Sequence, residues 1–350
     1  MSRTAKGPSF AVKALTLCFA LVVLCGLLAT ALFGWGIKYY NAPGPLAAET
    51  AVIIPKGSGL AQISAALAES EVILYPQAFR IATLIQGKGQ SIKAGEYAFT
   101  AGVTPENVLE SLVSGRTVVH KITIPEGLTT AQIRTILMNE EKLEGTVPAD
   151  VKEGELLPET YYFSRGDTRG EIMARMKQGM REQLMTLWST RRQNLPYRTP
   201  QEALVMASIV EKETGVAEEY GQVASVYVNR LRRNMLLQAD PTVIYAVTKG
   251  EQNIGRPLTR SDLRLESAYN TYVFLGLPPG PIANPGKRAL AATLNPPETD
   301  YIFFVANGKG GHNFSTSLDD HNRYVRQFRA LLKKQREEKQ VADAETATSS

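Results

Sequence analysis

The chain alternates between stretches that are apolar on every face and stretches that are apolar on one side only. Ala14 to Ile37 holds 24 residues without a formal charge, rich in Leu, Val, Ala and Phe. About 20 such residues cross a bilayer as a helix. Ala203 to Val210 is shorter and has Ser208 as its one polar side chain, which predicts a helix enclosed within a domain. Its ends carry signals: Thr199 can cap it, Pro200 suits the first helical position, Glu202 falls where a capping box takes its acid, and Gly215 is a natural stop. One-sided patterns predict the rest. Residues 170–193 form a polar helix with Met, Leu and Trp188 along one side; Ala217 to Leu231 is another, with Val223, Val226, Tyr227 and Leu231 on its stripe. Tyr301 to Ala306 reads as a buried strand, which Asn307 to Gly311 turns towards His312, Asn313 and Phe314. Arg323 to Gln340 is a basic helix, Glu266 to Asn284 is irregular and rich in Tyr, Pro and Gly, and the low-complexity final ten residues are expected to be disordered.

An internal echo organises the first half. Ile54-Pro55-Lys56-Gly57 leads to Ala61-Gln62-Ile63 and Leu67, and Ile124-Pro125-Glu126-Gly127 leads to Ala131-Gln132-Ile133 and Leu137. Each unit reads as a strand (AVIIP, HKITIP), a Gly-bearing turn and an amphipathic helix. A weaker version opens at Thr104-Pro105-Glu106 and carries Val108 and Leu112. Such units suggest small α+β modules. They resemble the LysM-like modules of cell-wall proteins, although a plain scaffold without glycan contact fits the same pattern. Leu156 to Phe163, LLPETYYF, is expected to dock between domains.

Charge and cysteine placement bear on location. Arg3, Lys6 and Lys13 precede the long apolar run, which puts the N-terminus in the cytoplasm if the run spans a membrane. Trp35, Tyr39 and Tyr40 sit where an interfacial aromatic belt falls. Ala29-Thr30-Ala31 resembles a signal cleavage site, but the apolar run continues past it through Phe33 and Trp35, favouring an uncleaved anchor. Leu24 is too large for a lipobox before Cys25. Both cysteines, Cys18 and Cys25, lie inside the run, so the remainder forms no disulfide. The net charge of +5 is modest and the Lys and Arg residues are scattered, so nucleic acid is not an expected partner. The expected organisation is a cytoplasmic N-terminus (1–13), transmembrane helix (14–37), linker (38–50), LysM-like α+β region (51–150), mixed α+β catalytic domain (151–330) whose buried helix carries the catalytic Glu, and a polar tail (331–350).

Candidate chemistry begins at Glu211, directly after the apolar helix. Apolar surroundings and the negative end of the helix dipole both oppose its ionisation, and a glutamate kept protonated near neutral pH can act as a general acid. Surface pairing through Lys212 is the plainer alternative. Glu213, two residues on, points about 200° away around the helix, and reads as the source of a structural ion pair or the anchor of a loop.

Four motifs occur in order: IVEKET (209–214), LLQADPTVIYA (236–246), AYNTYVFLGLPPGPIANPG (268–286) and FVANGKGGHNFSTSLDDHN (304–322). Together with EGELLPETY at 153–161 and the N-terminal anchor, they resemble the endolytic murein transglycosylase family, the membrane-anchored MltG or YceG-like proteins. The resemblance implies cleavage of the MurNAc-β-1,4-GlcNAc bond of peptidoglycan glycan strands to leave 1,6-anhydro-MurNAc ends. It also implies termination of nascent strands beside peptidoglycan synthases, and a catalytic glutamate at Glu211. Such a reaction needs one acid-base residue, because the C6 hydroxyl of the sugar is the nucleophile.

Other candidates surround this expectation. Asp240, before Pro241, is either a substrate-binding acid or a helix cap, and Gln238 is a sugar contact. Tyr269, Asn270 and Tyr272 combine aromatic faces with an amide, which suits sugar, though buried tyrosines with satisfied hydroxyls are common. His312 and Phe314 follow a Gly-rich turn that can bring backbone close to a glycan. His312 and His321 are not spaced as a metal pair, so neither metal nor cofactor is expected. Two rivals stay open. A hydrolytic muramidase would need Glu213 or Asp240 as a second carboxylate; a non-catalytic peptidoglycan-binding scaffold would need none.

Overall fold

A computed structural model describes residues 10–348, which fall into two compact units. The first runs to His120 and takes in Ser164–Gly166; the second comprises Lys121–Phe163 and resumes at Asp167.

The first unit opens with α1 (Phe10–Asn41), whose apolar side chains from Leu15 to Phe33 are exposed. It is the one helix among the described residues long and apolar enough to cross a membrane. It continues past Ile37, so the expected linker starts as helix. Tyr39 and Tyr40 hold that last turn: the Tyr75 N–H donates to Tyr39 Oη (3.0 Å) and Gln86 Nε2 to Tyr40 Oη (2.9 Å). There follow β1 (Thr50–Ile54), α2 (Leu60–Glu69), α3 (Pro76–Ile85), β2 (Gly95–Phe99) and α4 (Pro105–Ser114). β1 and β2 pair antiparallel, Thr50 opposite Phe99 and Ile54 opposite Gly95. Their inward residues close over Ile63, Leu67, Phe79, Leu109 and Leu112.

The chain enters the second unit along β3 (Val119–Thr123), followed by α5 (Thr130–Asn139) and β4 (Thr160–Ser164), which pairs with β3. The two echoed segments share a physical device. Gln62 Oε1 accepts from the Gly59 N–H (2.9 Å) and Gln132 Oε1 from the Thr129 N–H (3.0 Å), each closing the first turn of its helix. Gly57 (φ 83°) and Gly127 (φ 74°) supply the left-handed residue in each preceding turn. The echoes nevertheless belong to different units, so the expected 51–150 block divides at His120. The reason is packing: Ile122, Ile124, Ile133 and Leu137 share a core with Leu156, Phe163, Ile172 and Met176. LLPETYYF likewise docks inside the second unit rather than between units, with Leu156 and Phe163 in that core and Leu157 in its neighbour.

The neighbouring core is built by α6 (Arg169–Ser189), α7 (Pro200–Glu213), α8 (Tyr220–Arg232), α9 (Asp240–Thr248) and α10 (Lys287–Leu294). Every residue of α7 from Ala203 to Glu211 is buried, as its composition predicts. Its ends differ from expectation. Thr199 Oγ1 accepts from the Glu202 N–H (3.2 Å), but the Glu202 carboxylate accepts from the Arg198 N–H, so the capping box is half formed. At the other end Thr214 turns extended (φ −141°, ψ 141°), ending the helix before Gly215 can act as a left-handed stop. β5 (Phe303–Ala306) and β6 (His312–Ser315) form an antiparallel hairpin whose strands are half-buried rather than enclosed. α11 (Leu318–Thr348) ends the described chain. The tail expected to be disordered is helical to Thr348, helped by i,i+4 pairs such as Lys333–Glu337.

The segment 270–284 has neither helix nor strand, and buried carboxamides pin both ends. Asn270 Nδ2 donates to Leu263 O and Leu265 O. Asn284 Oδ1 accepts from the Leu156 N–H (2.9 Å), and its Nδ2 donates to Leu128 O, Thr130 Oγ1 and Glu153 Oε1. Both residues are fully buried, whereas Val273, Phe274 and Leu275 between them are exposed. Asn284→Ala would strand the buried Leu156 N–H and take a donor from Glu153, and is expected to cost about 2 kcal/mol, read as a lower denaturation midpoint in urea at unchanged slope.

Candidate active site

The end of α7 carries two carboxylates aimed at different partners. Glu211 is 9% exposed. Its Oε2 accepts from the Gly286 N–H (2.9 Å) and its Oε1 from Tyr220 Oη (3.1 Å). Lys212 Nζ donates to Gly127 O (3.1 Å). The space a side chain would need at Gly286 is filled by the Glu126 carboxyl. Burial pushes the Glu211 carboxyl up to about 7; the Gly286 N–H pulls it back and the Glu126 charge adds to the rise. Each oxygen thus accepts one hydrogen bond, and the two join α7 to α8 and to the segment before α10.

Glu213 faces elsewhere. Tyr227 Oη donates to its Oε1 at 2.6 Å. Among the described residues its Oε2 accepts no hydrogen bond, and it forms no ion pair of the kind expected from the sequence. The residue is partly exposed although its carboxyl is closely surrounded. Burial pushes this carboxyl also up to about 7, opposed by the Tyr227 hydrogen bond, raised further by the Asp240 charge and lowered by Arg230. Tyr220 and Tyr227 are seven residues apart, on one stripe of α8, so a single helix face serves both carboxylates.

The residues expected at a sugar site divide between surroundings. Asp240 is exposed and close enough for its charge to act on Glu213, and Tyr272 Oη donates to Asp240 Oδ1 at 2.5 Å; Gln238 is exposed too, its side-chain oxygen accepting from Arg230 (3.4 Å). Asp240 opens α9 without capping it; the cap reading fails because its carboxylate turns to Tyr272. Gln238 has φ 49°, a left-handed backbone that is strained for a residue with a side chain. Arg230 braces this turn, donating to Leu237 O (2.8 Å) and Ile302 O (2.7 Å). Asn270 is turned inward, as described. The Tyr269 ring lies 4.9 Å from that of Tyr245, tilted by 44°, and the surroundings of Tyr245 include Glu153. His312 Nδ1 meets Glu219 Oε2 at 2.7 Å, and its N–H donates to Glu219 Oε1. Burial opposes ionisation of Glu219, yet these contacts hold its carboxyl below the usual value. Phe314 packs on Tyr301 and Phe304 in the hairpin.

Sequence reasoning missed Glu126, Tyr220, Tyr227 and Arg230 as members of these clusters. For Glu126 a signal exists: it stands where the first echo has Lys56.

The YceG-like family matches the chain over residues 52–327. The chain belongs to this family. An endolytic murein transglycosylase of Bacillus subtilis (strain 168) is 33% identical over 304 residues, covering 77% of this chain and 82% of that protein. One of Streptococcus pneumoniae serotype 2 (strain D39) is 28% identical over 317 residues, covering 78% of this chain and 57% of that longer protein. A YceG-like protein of Listeria monocytogenes, solved at 2.6 Å, is 30% identical with a TM-score of 0.46, covering 79% of this chain and 98% of that one. The YceG-like region begins within β1 and contains both glutamates and every partner named for them.

Proposed function

We propose that this YceG-like protein is a membrane-anchored endolytic lytic transglycosylase of peptidoglycan, with Glu213 as its proton donor in place of the Glu211 expected from the sequence. The observation that carries this reading is the hydrogen bonding of Glu213: one oxygen accepts from Tyr227 and the other accepts none, with exposed Asp240 near enough for its charge to raise the carboxyl, which burial pushes up to about 7. Glu211 matches it in pKa but has both oxygens engaged. The naming of the relatives as endolytic murein transglycosylases supports the substrate.

Protonated Glu213 gives its proton to the glycosidic oxygen as the bond from that oxygen to C1 of MurNAc breaks. The C6 hydroxyl of the same MurNAc then attacks C1, and its proton passes to the Glu213 carboxylate. The products are a GlcNAc 4-hydroxyl and a 1,6-anhydro-MurNAc end; no water is consumed and the acid is restored. A donor with pKa near ambient pH serves both transfers. α1 would anchor the chain with the N-terminus in the cytoplasm and both units outside it. The strand–turn–helix units, LysM-like in pattern, would help present the strand, and the anchor would keep cutting close to peptidoglycan synthases.

A hydrolytic muramidase is the second reading, favoured by the proximity of Asp240, a carboxylate able to activate water. Mass spectrometry of digested peptidoglycan separates the two. Anhydro ends from both wild type and Asp240→Asn are expected, with the alkaline limb of activity shifted down in the variant because a charge that raises Glu213 is gone. Reducing ends that disappear in Asp240→Asn would establish the hydrolase.

A further inference from the structure

α3 has two apolar faces. Phe79 and Thr83 are fully buried in the core of the first unit, while Ile81, Leu84 and Ile85 on the other side are 58%, 63% and 73% exposed. Leu74 and Tyr75, just before the helix, are exposed as well. Scattered surface hydrophobics need no explanation, but a contiguous patch does.

Helix α1 measures where this patch lies. A rise of 1.5 Å per residue from Lys13 carries the chain about 30 Å by Phe33, the thickness of a bilayer hydrocarbon core. Trp35 and Tyr39 then stand at the far interface, the level at which Trp and Tyr rings are enriched. The Tyr75 ring meets both, 5.1 Å from each centroid. α3 therefore begins at headgroup height. From there it runs beside α1, and Ile81 and Ile85 face Ala29, Leu32 and Phe33 across an open apolar groove of about 570 Å³. Leu32 and Phe33 belong to the hydrocarbon level; α3 is tied to the interface at both ends, by Tyr75 to Trp35 and Tyr39 and by Gln86 to Tyr40, so the groove opens from the interface into the acyl region. Arg80, exposed on the same side, has the length to reach lipid phosphate.

We propose that α3 is embedded in the outer-leaflet interface beside the anchor, with Ile81, Leu84 and Ile85 among acyl chains and the groove filled by a lipid tail. The first unit is then held on the membrane by a surface as well as by a tether. This rests on reading α1 as a membrane span, and the test separates the two.

The full chain, with Cys18 and Cys25 replaced by Ala, is reconstituted in vesicles of phosphatidylethanolamine and phosphatidylglycerol and spin-labelled at Leu84→Cys. Ile53→Cys, on β1 and 47% exposed, is the apolar comparison. Collision with oxygen and with a water-soluble nickel chelate is measured by electron paramagnetic resonance. At Leu84 the oxygen-to-nickel ratio is expected to be several-fold above that at Ile53. Equal, water-like ratios at both positions overturn the proposal. A label on native Cys25, with Cys18→Ala, reports the span: a lipid-like Cys25 with a water-like Leu84 removes the docking surface alone, and a water-like Cys25 removes both.

Discussion

Glu213→Gln is expected to eliminate anhydro ends from a peptidoglycan digest, a rate loss of about 10² to 10⁴, while Glu211→Gln keeps most of its activity. The two positions differ in what glutamine can replace. At position 211 the amide oxygen still accepts from the Gly286 N–H, and the amide NH₂ donates to a Tyr220 hydroxyl that turns to accept; both ties survive. At position 213 glutamine retains the Tyr227 contact but has no proton to transfer. Quantifying anhydro-muropeptides for wild type and both variants, with circular dichroism to confirm folding, decides the matter. A folded Glu211→Gln without activity beside an active Glu213→Gln would return the acid to Glu211.

Stability of the second unit is expected to fall as pH rises through the neutral range. A Glu211 carboxyl at about 7 in the folded chain, against its ordinary 4.5, means that the folded state binds more protons between those values. The burial penalty is absent below pH 4.5, grows as pH rises and is complete above about 7. The shift corresponds to about 3 kcal/mol, or about 10 °C in Tm for a unit of this size. Glu211→Gln removes one of two raised carboxyls, Glu213 being the other, and should roughly halve the slope, gaining on the wild type between pH 5 and 8. Parallel melting profiles for the two proteins would show that Glu211 is not held protonated by the fold.

How much of this the residues disclose depends on the distance of the partners. α7 is plain from its own composition, since a run with a single hydroxyl can only be enclosed. The 200° separation of Glu211 and Glu213 is equally plain. Which of the two keeps an oxygen without a hydrogen bond is not, because the donor to Glu211 is the backbone of Gly286, 75 residues away. Tyr227 shows in the helical stripe as a core residue, but the destination of its hydroxyl has no spacing to betray it. Gly215 looked like a stop, yet the chain had already left the helix at Thr214. The two echoes are visible because Gln62 and Gln132 act within one turn of their helices; their division between units depends on contacts with α6 that no local pattern carries.

Asn270 and Asn284 have a consequence for the thermodynamics of association. They clamp the ends of a segment whose middle, Val273 to Leu275, is open to solvent. A polymer meeting that apolar tip encounters surface already ordered, so little configurational freedom is lost on contact. Calorimetry would register such an encounter as a negative heat-capacity change from dehydrated apolar area, without the entropic deficit of a loop that must first settle.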